Sequence, residues 1–306
     1  MPDSSRILVI LGPTASGKSA LAIALARRTG AEILSVDSMQ VYQGMNIGTA
    51  KPSLAEQHEI RHHLINWVRP DEDFSVARFC ELAEGVIADV ARRGRPLIAT
   101  GGTPLYFKSL FFGLFDGPGA DPAIRQRLGE LDGATLHSRL AEIDPAAAAR
   151  IHAADRKRLI RALEIYELTG KPISSLQTHW DNSTAPRHPS VWIGLHWEKE
   201  ELNHRINARV KDMIAAGWVE EVAELLRSGR PLSRTAAEAT GYSQLVAYLQ
   251  GKCSLEEAVE QIKIATRQLA RRQMKWIRRF PGVTWLEGNV GAQQSTEDAL
   301  KAWQAP

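Results

Sequence analysis

The chain has 306 residues, of which 44% are hydrophobic, so it is long enough to form one large domain or two with a sizeable buried core. Its formal net charge of +3 is too small to require a polyanionic partner, and the distribution of charge is more informative than the total. Only two cysteines are present, Cys80 and Cys253, which excludes a disulfide framework and a cysteine-rich zinc site. The first apolar run is too short for a signal peptide and no later run could span a membrane, so we expect a cytoplasmic protein.

The first predicted element is a buried strand over Ile7–Leu11 that leads into a glycine-rich loop. Residues 12–19 fit the phosphate-loop pattern G-x-x-x-x-G-K-[ST], and a helix is predicted over Ala20–Arg28. Backbone N–H groups and the helix N-terminus of such a loop surround a phosphate, Lys18 reaches the outer phosphate, and the Ser19 hydroxyl is placed for Mg²⁺. A glycine turn that only joins strand to helix is the alternative, but the full pattern in this context favours a phosphate site.

A second strand is predicted over Ala31–Val36, and it ends at Asp37. Ligands of open α/β sheets bind beyond the carboxyl ends of the strands, so Asp37 is expected beside the phosphate loop. This carboxylate could hold Mg²⁺ through water or accept a proton from a substrate. A cap of a helix or turn is the structural alternative.

A loop at residues 44–52 follows, and loops at strand ends often carry function. Residues 62–68 then predict another short strand. Its neighbouring residues His62 and His63 would point to opposite faces, which favours a structural role or substrate contact over a shared metal site.

The next predicted elements are an amphipathic helix over Ser75–Arg93 and a fourth strand at residues 96–100. This strand ends in threonine and glycines, where many ATPases of the phosphate-loop class place a second acidic metal ligand. A motor ATPase is therefore disfavoured. Pro104 suits the first turn of a further helix, with Thr103 as its N-cap.

The clearest boundary in the chain is the glycine- and proline-rich stretch at residues 113–122. Strand signals vanish beyond it and helix signals replace them, until a strand is predicted again at Val191–His196. We therefore expect an α/β core formed by residues 1–115 and 191–306, with a helical insertion domain at residues 116–190.

Two predicted helices carry clustered cations. One, in the insertion, has basic residues at 156–161, which form either an RNA-binding surface or an ordinary solvated face. The other, over Glu200–Ala216, has Arg205 and Arg209 four residues apart and hence on one face.

The last long helix begins at Ser254, which forms a predicted capping box with Glu257, and it ends before Pro281. Basic residues recur every four positions along it, and no acidic residue lies between Gln261 and Leu286. Such a stripe is typical of a surface that binds a nucleic-acid backbone. The stripe consists of Lys263, Arg267, Arg271, Lys275 and Arg279, and the expected buried face consists of Val259, Ile262, Leu269 and Trp276.

These segments together resemble the tRNA dimethylallyltransferase (tRNA isopentenyltransferase) family over nearly the whole chain. The phosphate loop is shared with many kinases, whereas the block at residues 35–52 is specific to this family. The motifs that carry the resemblance are Gly-Pro-Thr-Ala-Ser-Gly-Lys-Ser (12–19), Ser-Val-Asp-Ser-Met-Gln-Val-Tyr (35–42), Gly-Met-Asn-Ile-Gly-Thr-Ala-Lys-Pro (44–52), His-His-Leu-Ile (62–65), Gly-Gly-Thr-Pro-Leu-Tyr (101–106), Arg158 to Glu164, and Thr-Arg-Gln-Leu-Ala-Arg-Arg-Gln (266–273).

The resemblance implies an α/β fold with a P-loop NTPase-like parallel sheet flanked by helices. It also implies transfer of a dimethylallyl group from dimethylallyl pyrophosphate to N6 of the adenosine 3′ to the anticodon of tRNA. The phosphate loop would then hold the leaving pyrophosphate instead of a nucleotide such as ATP. By family analogy Asp37 accepts the N6 proton, Thr14 and Arg209 stabilise the leaving group, and Mg²⁺ binds near Ser19.

The implied substrates are dimethylallyl pyrophosphate and the anticodon stem-loop of tRNA, and a monomer is the simpler expectation because the RNA itself would bridge the domains. The implied pyrophosphate-binding residues are Gly12, Thr14, Ala15, Ser16, Gly17, Lys18 and Ser19. The implied tRNA-binding residues are Asp37, Ser38, Met39, Gln40, Thr103, Arg125, Lys157, Arg158, Leu159, Ile160, Arg161, Arg267, Arg271 and Arg272.

The sequence departs from the family pattern at Asn66, where relatives often have Asp, at Pro104, where a small or flexible residue is commoner, and at Glu238, where Gln or Arg is usual. No zinc-finger extension of the eukaryotic type follows the last helix, so a bacterial-type enzyme is expected.

Two other functions are alternatives to the one that this resemblance implies. A small-molecule or nucleotide kinase would explain the phosphate loop but leaves residues 35–52 and the basic helix unexplained. An RNA-binding protein with a vestigial loop is disfavoured because Lys18, Ser19, Asp37 and Arg209 are all present.

Overall fold

The computed structural model describes residues 6–113, 117–176, 185–227 and 229–305. The chain divides into two compact units. One runs from Met1 to Phe111 and from Pro186 to Pro306, and the other is Phe112–Ala185. Within the described ranges no helix combines the length and apolar character that a membrane crossing requires.

The first unit is built on a six-stranded sheet whose neighbouring strands all pair in parallel. Its strands are β1 (Ile7–Leu11), β2 (Glu32–Ser35), β3 (His62–His63), β4 (Leu97–Thr100), β5 (Ser190–His196) and β6 (Val283–Glu287). The spatial order is β3-β2-β4-β1-β5-β6. Strands β1, β2 and β4 are buried along their whole length, as the continuous apolar runs of a parallel sheet require. The predicted α/β fold is confirmed.

Helices connect the strands and form the second unit. In chain order they are α1 (Lys18–Thr29), α2 (Leu54–Glu59), α3 (Val76–Arg92), α4 (Pro104–Phe112), α5 (Pro122–Gly129), α6 (Gly133–Ile143), α7 (Pro145–Ala148), α8 (Arg156–Thr169), α9 (Ile173–Leu176), α10 (Lys199–Ala215), α11 (Trp218–Arg227), α12 (Arg234–Ala237), α13 (Tyr242–Leu249), α14 (Leu255–Ile277) and α15 (Ala292–Gln304).

One apolar cluster of the first unit joins the sheet to α1 and α15. Leu8 and Ile10 from β1, Leu25 from α1 and Trp303 from α15 are completely buried in it. Each large apolar side chain removed from water contributes about 1.5–3 kcal/mol, so this packing fixes β1 and the loop that follows it.

The second unit is helical and has a core of its own, which includes Leu136, Leu140, Leu159 and Ile165. Aspartate side chains accept hydrogen bonds from the first turns of four of its helices, which offsets the unpaired N–H groups there. The capping residues are Asp121, Asp132, Asp144 and Asp155.

The strand predicted at residues 62–68 is wrong beyond its first two residues. Leu64 and Asn66 have φ angles of 61° and 56°, in the left-handed region that a strand does not use. The N–H groups of Trp67 and Val68 both donate to the carbonyl of Val41 instead of continuing the sheet. Strand β3 therefore ends at His63.

Candidate active site

A cavity of about 420 Å³ lies in the first unit, where the phosphate loop and the segments after β2 and β4 meet. It is the feature that brings most of the predicted site residues of this unit together. Its lining includes Thr14, Lys18, Ser19, Asp37, Ser38, Met39, Gln40, Thr103, Arg209 and Arg272. Parallel strands place their carboxyl ends at one edge of the sheet, and this explains why segments distant in sequence converge here.

The phosphate loop has the backbone shape that turns N–H groups inward. Ala15 and Gly17 have φ angles of 64° and 91°. A left-handed conformation costs roughly 1–2 kcal/mol for a residue other than glycine, so the loop is held at Ala15 against a local preference. A Cβ on Gly12 would lie 2.5 Å from the Ser16 hydroxyl, so a larger residue at position 12 would force the Ser16 side chain to move.

Lys18 is buried at the inner side of this loop. Its side chain donates to the carbonyl of Pro13 at 3.4 Å. Burial, and to a smaller degree the neighbouring Arg209, lower the pKa of Lys18 to about 8, although Asp37 acts in the opposite direction. The pKa of Lys18 therefore lies close to neutral pH, so a modest rise in pH removes the proton of its ammonium group.

Arg209 reaches the same cavity from α10. Burial lowers the pKa of Arg209, Arg205 lowers it further, and Asp37 opposes both effects. Two cations and one carboxylate, Lys18, Arg209 and Asp37, thus line the same cavity. An anionic ligand there would relieve the repulsion between the cations.

Asp37 is fixed by three backbone N–H groups. One carboxylate oxygen accepts from Met39 at 2.9 Å and from Gln40 at 3.3 Å, and the other accepts from Gly102 at 3.0 Å. Asp37 therefore caps the turn that follows β2, which is the structural alternative that the sequence offered. An ionised carboxylate offers about four acceptor positions, so these bonds orient Asp37 and leave capacity for a further proton or ligand.

Gln273 is a residue of the cavity wall that the sequence did not single out. Its amide oxygen accepts from the N–H of Thr14 at 2.8 Å, and its amide nitrogen donates to the carbonyl of Gly102 at 2.6 Å. Because Gly102 also binds Asp37, buried Gln273 joins the phosphate loop to the carboxylate. The only signal available was its place in the Arg-Arg-Gln motif, since its partners lie far away in sequence.

Ser38 and Thr103 bind each other. The Thr103 hydroxyl accepts from the N–H of Ser38 at 2.9 Å and donates to the Ser38 hydroxyl at 3.1 Å. Thr103 does stand at the start of α4, because its carbonyl accepts from Tyr106 and Phe107. Its hydroxyl, however, faces the predicted RNA-binding segment.

The Gln40 side chain ties the segment after β2 to the loop at residues 44–52. Its amide oxygen accepts from the Ser35 hydroxyl at 2.8 Å, and its amide nitrogen donates to the carbonyls of Thr49 and Ala50, each at 3.2 Å. A contact between this side chain and RNA would have to share or replace these bonds. Met39 lines the cavity beside it.

The loop at residues 44–52 is anchored from α11, which the sequence did not reveal. Glu221 accepts N–H groups from Asn46 at 2.8 Å and Ile47 at 2.7 Å, and the Tyr242 hydroxyl donates to it at 2.7 Å. These bonds hold the wall of the cavity that includes Gly48.

Lys51 explains how the unusual Asn66 is accommodated. Its ammonium donates to the side-chain oxygens of Asn66 at 2.6 Å and Asn46 at 3.0 Å, and to the carbonyl of Tyr42. Burial lowers the pKa of Lys51 to about 8. Asn66 therefore acts as a neutral acceptor for this lysine.

The basic stripe on α14 is only partly exposed. Lys263 is buried and pairs with Glu260, so the predicted stripe is wrong at its first residue. Arg267 donates to Asn207 at 2.6 Å, whereas Arg271, Lys275 and Arg279 are exposed. The predicted buried face is also wrong for Leu269 and Trp276, which are half-buried and line the cavity. Ile262 is buried as predicted, and Val259 is half-buried.

Two arginines predicted to contact tRNA belong to an ion-pair network within the second unit. Arg125 contacts both oxygens of Glu164, at 2.8 and 3.0 Å, and Arg161 contacts one of them at 2.6 Å. Leu159 is fully buried in the core of that unit, so only its backbone could reach RNA. Lys157 and Arg158 are exposed, and Ile160 is half-buried.

The two adjacent histidines have protein partners. His62 Nδ1 lies 2.7 Å from the carbonyl of Ile60, and His63 Nε2 lies 2.7 Å from Glu32. Across residues 6–113, 117–176, 185–227 and 229–305, no group of three or more His, Cys, Asp or Glu side chains is arranged to hold a metal. The oxygen donors Ser19 and Asp37 do share the cavity, and oxygen ligands are the kind that Mg²⁺ prefers.

Two family models of the same kind of enzyme together match most of the chain. A family model described as IPP transferase matches residues 40–280, and one described as isopentenyl transferase matches residues 5–70. A tRNA dimethylallyltransferase of Geobacter sulfurreducens is 45% identical over 98% of this chain and 97% of its own length. One of Acetivibrio thermocellus is 46% identical over 96% of this chain and 95% of its own.

Solved structures agree with these sequence matches. A tRNA delta(2)-isopentenylpyrophosphate transferase of Staphylococcus epidermidis superimposes with a TM-score of 0.71 at 37% identity and covers 96% of this chain and 97% of its own. A eukaryotic dimethylallyltransferase acting on tRNA superimposes with a TM-score of 0.82 at 31% identity, covering 98% of this chain and 78% of its own.

Proposed function

The chain belongs to the tRNA dimethylallyltransferase family, and from this premise we propose that it transfers a dimethylallyl group from dimethylallyl pyrophosphate to N6 of the adenosine 3′ to the tRNA anticodon. Pyrophosphate is the other product. The observation that carries the proposal is a single cavity lined by the phosphate loop, Asp37 and Arg209. Such a cavity offers a place for a pyrophosphate beside a proton acceptor.

Cationic and N–H donors serve the donor substrate. The phosphate loop, from Gly12 to Ser19, would bind the pyrophosphate through its backbone, with Lys18 and Arg209 opposite the charge that grows as the C–O bond breaks. Thr14 lines the same cavity and would contact the same leaving group. Mg²⁺, when bound by the Ser19 hydroxyl, would neutralise part of the pyrophosphate charge.

Asp37 serves the acceptor. The lone pair of an exocyclic adenine amine is delocalised into the ring, so removal of its proton as the C–N bond forms raises its reactivity. The adenine must leave the anticodon-loop stack to reach this carboxylate. Leu269 and Trp276 provide apolar surface in the same cavity for the dimethylallyl group.

Binding of tRNA would involve both units. In the first unit we assign it to residues 37–40, Thr103 and the exposed cations of α14, including Arg271 and Arg272. In the second unit we assign it to the basic cluster at 156–161 and to Arg125. We further propose that the protein acts as a monomer in the cytoplasm.

Membership of this family supports the transferase over a kinase, which would use the phosphate loop for ATP. It equally disfavours an RNA-binding protein with a vestigial loop. The assay that separates these functions incubates purified protein with Mg²⁺, radiolabelled dimethylallyl pyrophosphate and unmodified tRNA, with ATP tested in parallel. Label in N6-prenylated adenosine supports the proposal, whereas phosphate transfer from ATP without prenylation contradicts it.

The role of Asp37 is tested with Asp37→Asn and Asp37→Ala. Asparagine has a single amide oxygen, so it can accept either from Gly102 or from Met39 and Gln40, and it cannot take a proton. Both variants should lose about 10²–10⁴-fold in kcat. Binding of tRNA, measured by filter retention, should remain largely intact, because Asp37 is one of many residues to which we assign the RNA contact. Full activity in Asp37→Asn would exclude Asp37 as the proton acceptor.

A further inference from the structure

Two side chains that have no assigned role donate hydrogen bonds to carbonyl groups of the phosphate loop. Arg205 Nε donates to the carbonyl of Ala15 at 2.9 Å. Trp197 Nε1 donates to the next carbonyl, that of Ser16, also at 2.9 Å. The two consecutive carbonyls at the centre of the loop therefore point toward Arg205 and Trp197, and neither of these residues lines the cavity.

Arg205 and Trp197 also contact each other. The guanidinium carbon of Arg205 lies 4.1 Å from the centroid of the Trp197 ring, which is a cation–π arrangement. The indole thus serves as a platform that orients the arginine fork. Trp197 directly follows β5 and Arg205 lies on α10, so the pair joins the loop to two separate elements.

The loop needs such support because of its backbone. Ala15 has a φ angle of 64°, and an unfavourable conformation of this kind persists only where the surroundings determine it. Below the backbone, Ala15 packs against Leu202 and Ile206 of α10 and Ala270 of α14. Apolar packing holds the Ala15 side chain, whereas Arg205 and Trp197 bind the carbonyls that set the direction of the neighbouring N–H groups.

We propose that Arg205 is a positioning residue for pyrophosphate: with Trp197 it fixes the carbonyls of Ala15 and Ser16 outward, so that the N–H groups of the loop converge on the phosphate. This inference rests on the proposed binding of pyrophosphate by the loop. It assigns different tasks to two arginines one helical turn apart. Arg209 lines the cavity and faces the ligand, whereas Arg205 is absent from the lining and acts through the loop.

The experiment measures binding of inorganic pyrophosphate with Mg²⁺ to the full chain by titration calorimetry, in the absence of tRNA. Arg205→Met removes the donor and the charge, and we expect affinity to fall about 10- to 100-fold, as for loss of a hydrogen bond to a charged group. Trp197→Phe retains a ring under the arginine but loses the bond to Ser16, and we expect a loss of about 3- to 10-fold.

Two further variants separate positioning from charge. Arg205→Lys keeps the cation but lacks the planar fork that stacks on Trp197, so it should recover less than half of the lost binding free energy. Lys211→Met removes an exposed cation from the same helix and should bind pyrophosphate like the unmodified protein. Affinity for tRNA, measured separately, should be unchanged in every variant.

Each alternative gives a distinct result. Wild-type affinity in Arg205→Met, or full recovery in Arg205→Lys, would overturn the positioning role, the latter in favour of charge alone. Absence of pyrophosphate binding by the unmodified protein would instead contradict the proposed function. Thermal unfolding checks each variant, and if Arg205→Met does not fold, Trp197→Phe decides, since wild-type affinity there overturns the proposal.

Discussion

An ammonium group enclosed by protein gives up its proton more readily than one in water, and Lys18 is in this position. Burial lowers its pKa to about 8, with Arg209 contributing in the same direction. The folded protein therefore binds a proton at Lys18 less tightly than the unfolded chain, and charging this residue costs stability below pH 8. A bound pyrophosphate reverses that balance, because it favours the charged form.

We predict that the affinity of the free protein for pyrophosphate declines above pH 8, because binding then requires uptake of a proton by Lys18. Calorimetry between pH 7 and 9.5 measures this. Lys18→Arg keeps its charge throughout the range, so it should lack the part of the decline that is due to Lys18. Identical pH profiles for the two proteins would show that Lys18 does not change protonation on binding.

One buried carboxylate on β2, that of Glu32, contacts a side chain of the neighbouring strand β3. Glu32 contacts His63 at 2.7 Å and the guanidinium of Arg93, and it is 8% exposed. The Arg93 hydrogen bonds, with a smaller effect of His63, lower the pKa of Glu32 from 4.5 to about 2 against the opposing effect of burial. Because the folded pKa is lowered, the ionised pair stabilises the protein above pH 4.5, and this is lost as the pH falls toward 2.

We predict that Glu32→Gln lowers the free energy of unfolding by roughly 2–3 kcal/mol at pH 7, and by less than half of that at pH 3. Urea denaturation at the two pH values measures the difference. Glu59→Gln is the matched control, because the Arg27–Glu59 pair is about half exposed, and solvent screening makes its contribution to stability much smaller. Equal losses in the two variants would contradict the special role of Glu32.

Helix α14 illustrates what could and could not be predicted at the scale of an element. Its start followed from the capping box of Ser254 and Glu257, which the structure confirms. Its faces did not follow, because burial depends on neighbouring elements that a periodic pattern does not specify. Lys263 was predicted to be a surface cation but is buried against Glu260, whereas the apolar Trp276 lines the cavity.

The cavity likewise contains some features that the sequence predicts and others that it does not. The position of Asp37 at the carboxyl end of a predicted strand indicated that it would lie near the phosphate loop, and both line one cavity. The bridge from Thr14 to Gln273 could not be predicted, since 259 residues separate the two and a lone glutamine carries no signature. Local chemistry is thus readable from sequence, while contacts that depend on packing are not.

On the scale of the whole molecule, the small net charge of +3 hides a local concentration of cations. Arg271 and Lys275 on α14 and Arg279 just beyond its end are all exposed. Counterions of the RNA are released when such groups contact its phosphates. The logarithm of the affinity therefore falls linearly with the logarithm of the salt concentration, with a slope set by the number of contacts.

We predict that Arg271→Ala combined with Lys275→Ala weakens tRNA binding and reduces the slope of log affinity against log salt by about two. Filter binding from 50 to 300 mM salt measures the slope. Lys301→Ala, an exposed cation on α15, is the control and should leave it unchanged. An unaltered slope in the double variant would place the RNA elsewhere.

The shortness of β3 has a consequence for neighbouring copies of the protein. It is the last strand on its side of the sheet, where unpaired backbone groups could recruit a strand from another molecule and begin aggregation. Only two residues are in strand conformation, and the left-handed turns at Leu64 and Asn66 then lead the chain away. Arg61, whose side chain is 63% exposed, places a charge just before this short edge. The turns at Leu64 and at Asn66, the residue that binds Lys51, therefore leave β3 too short to pair with a strand of another molecule.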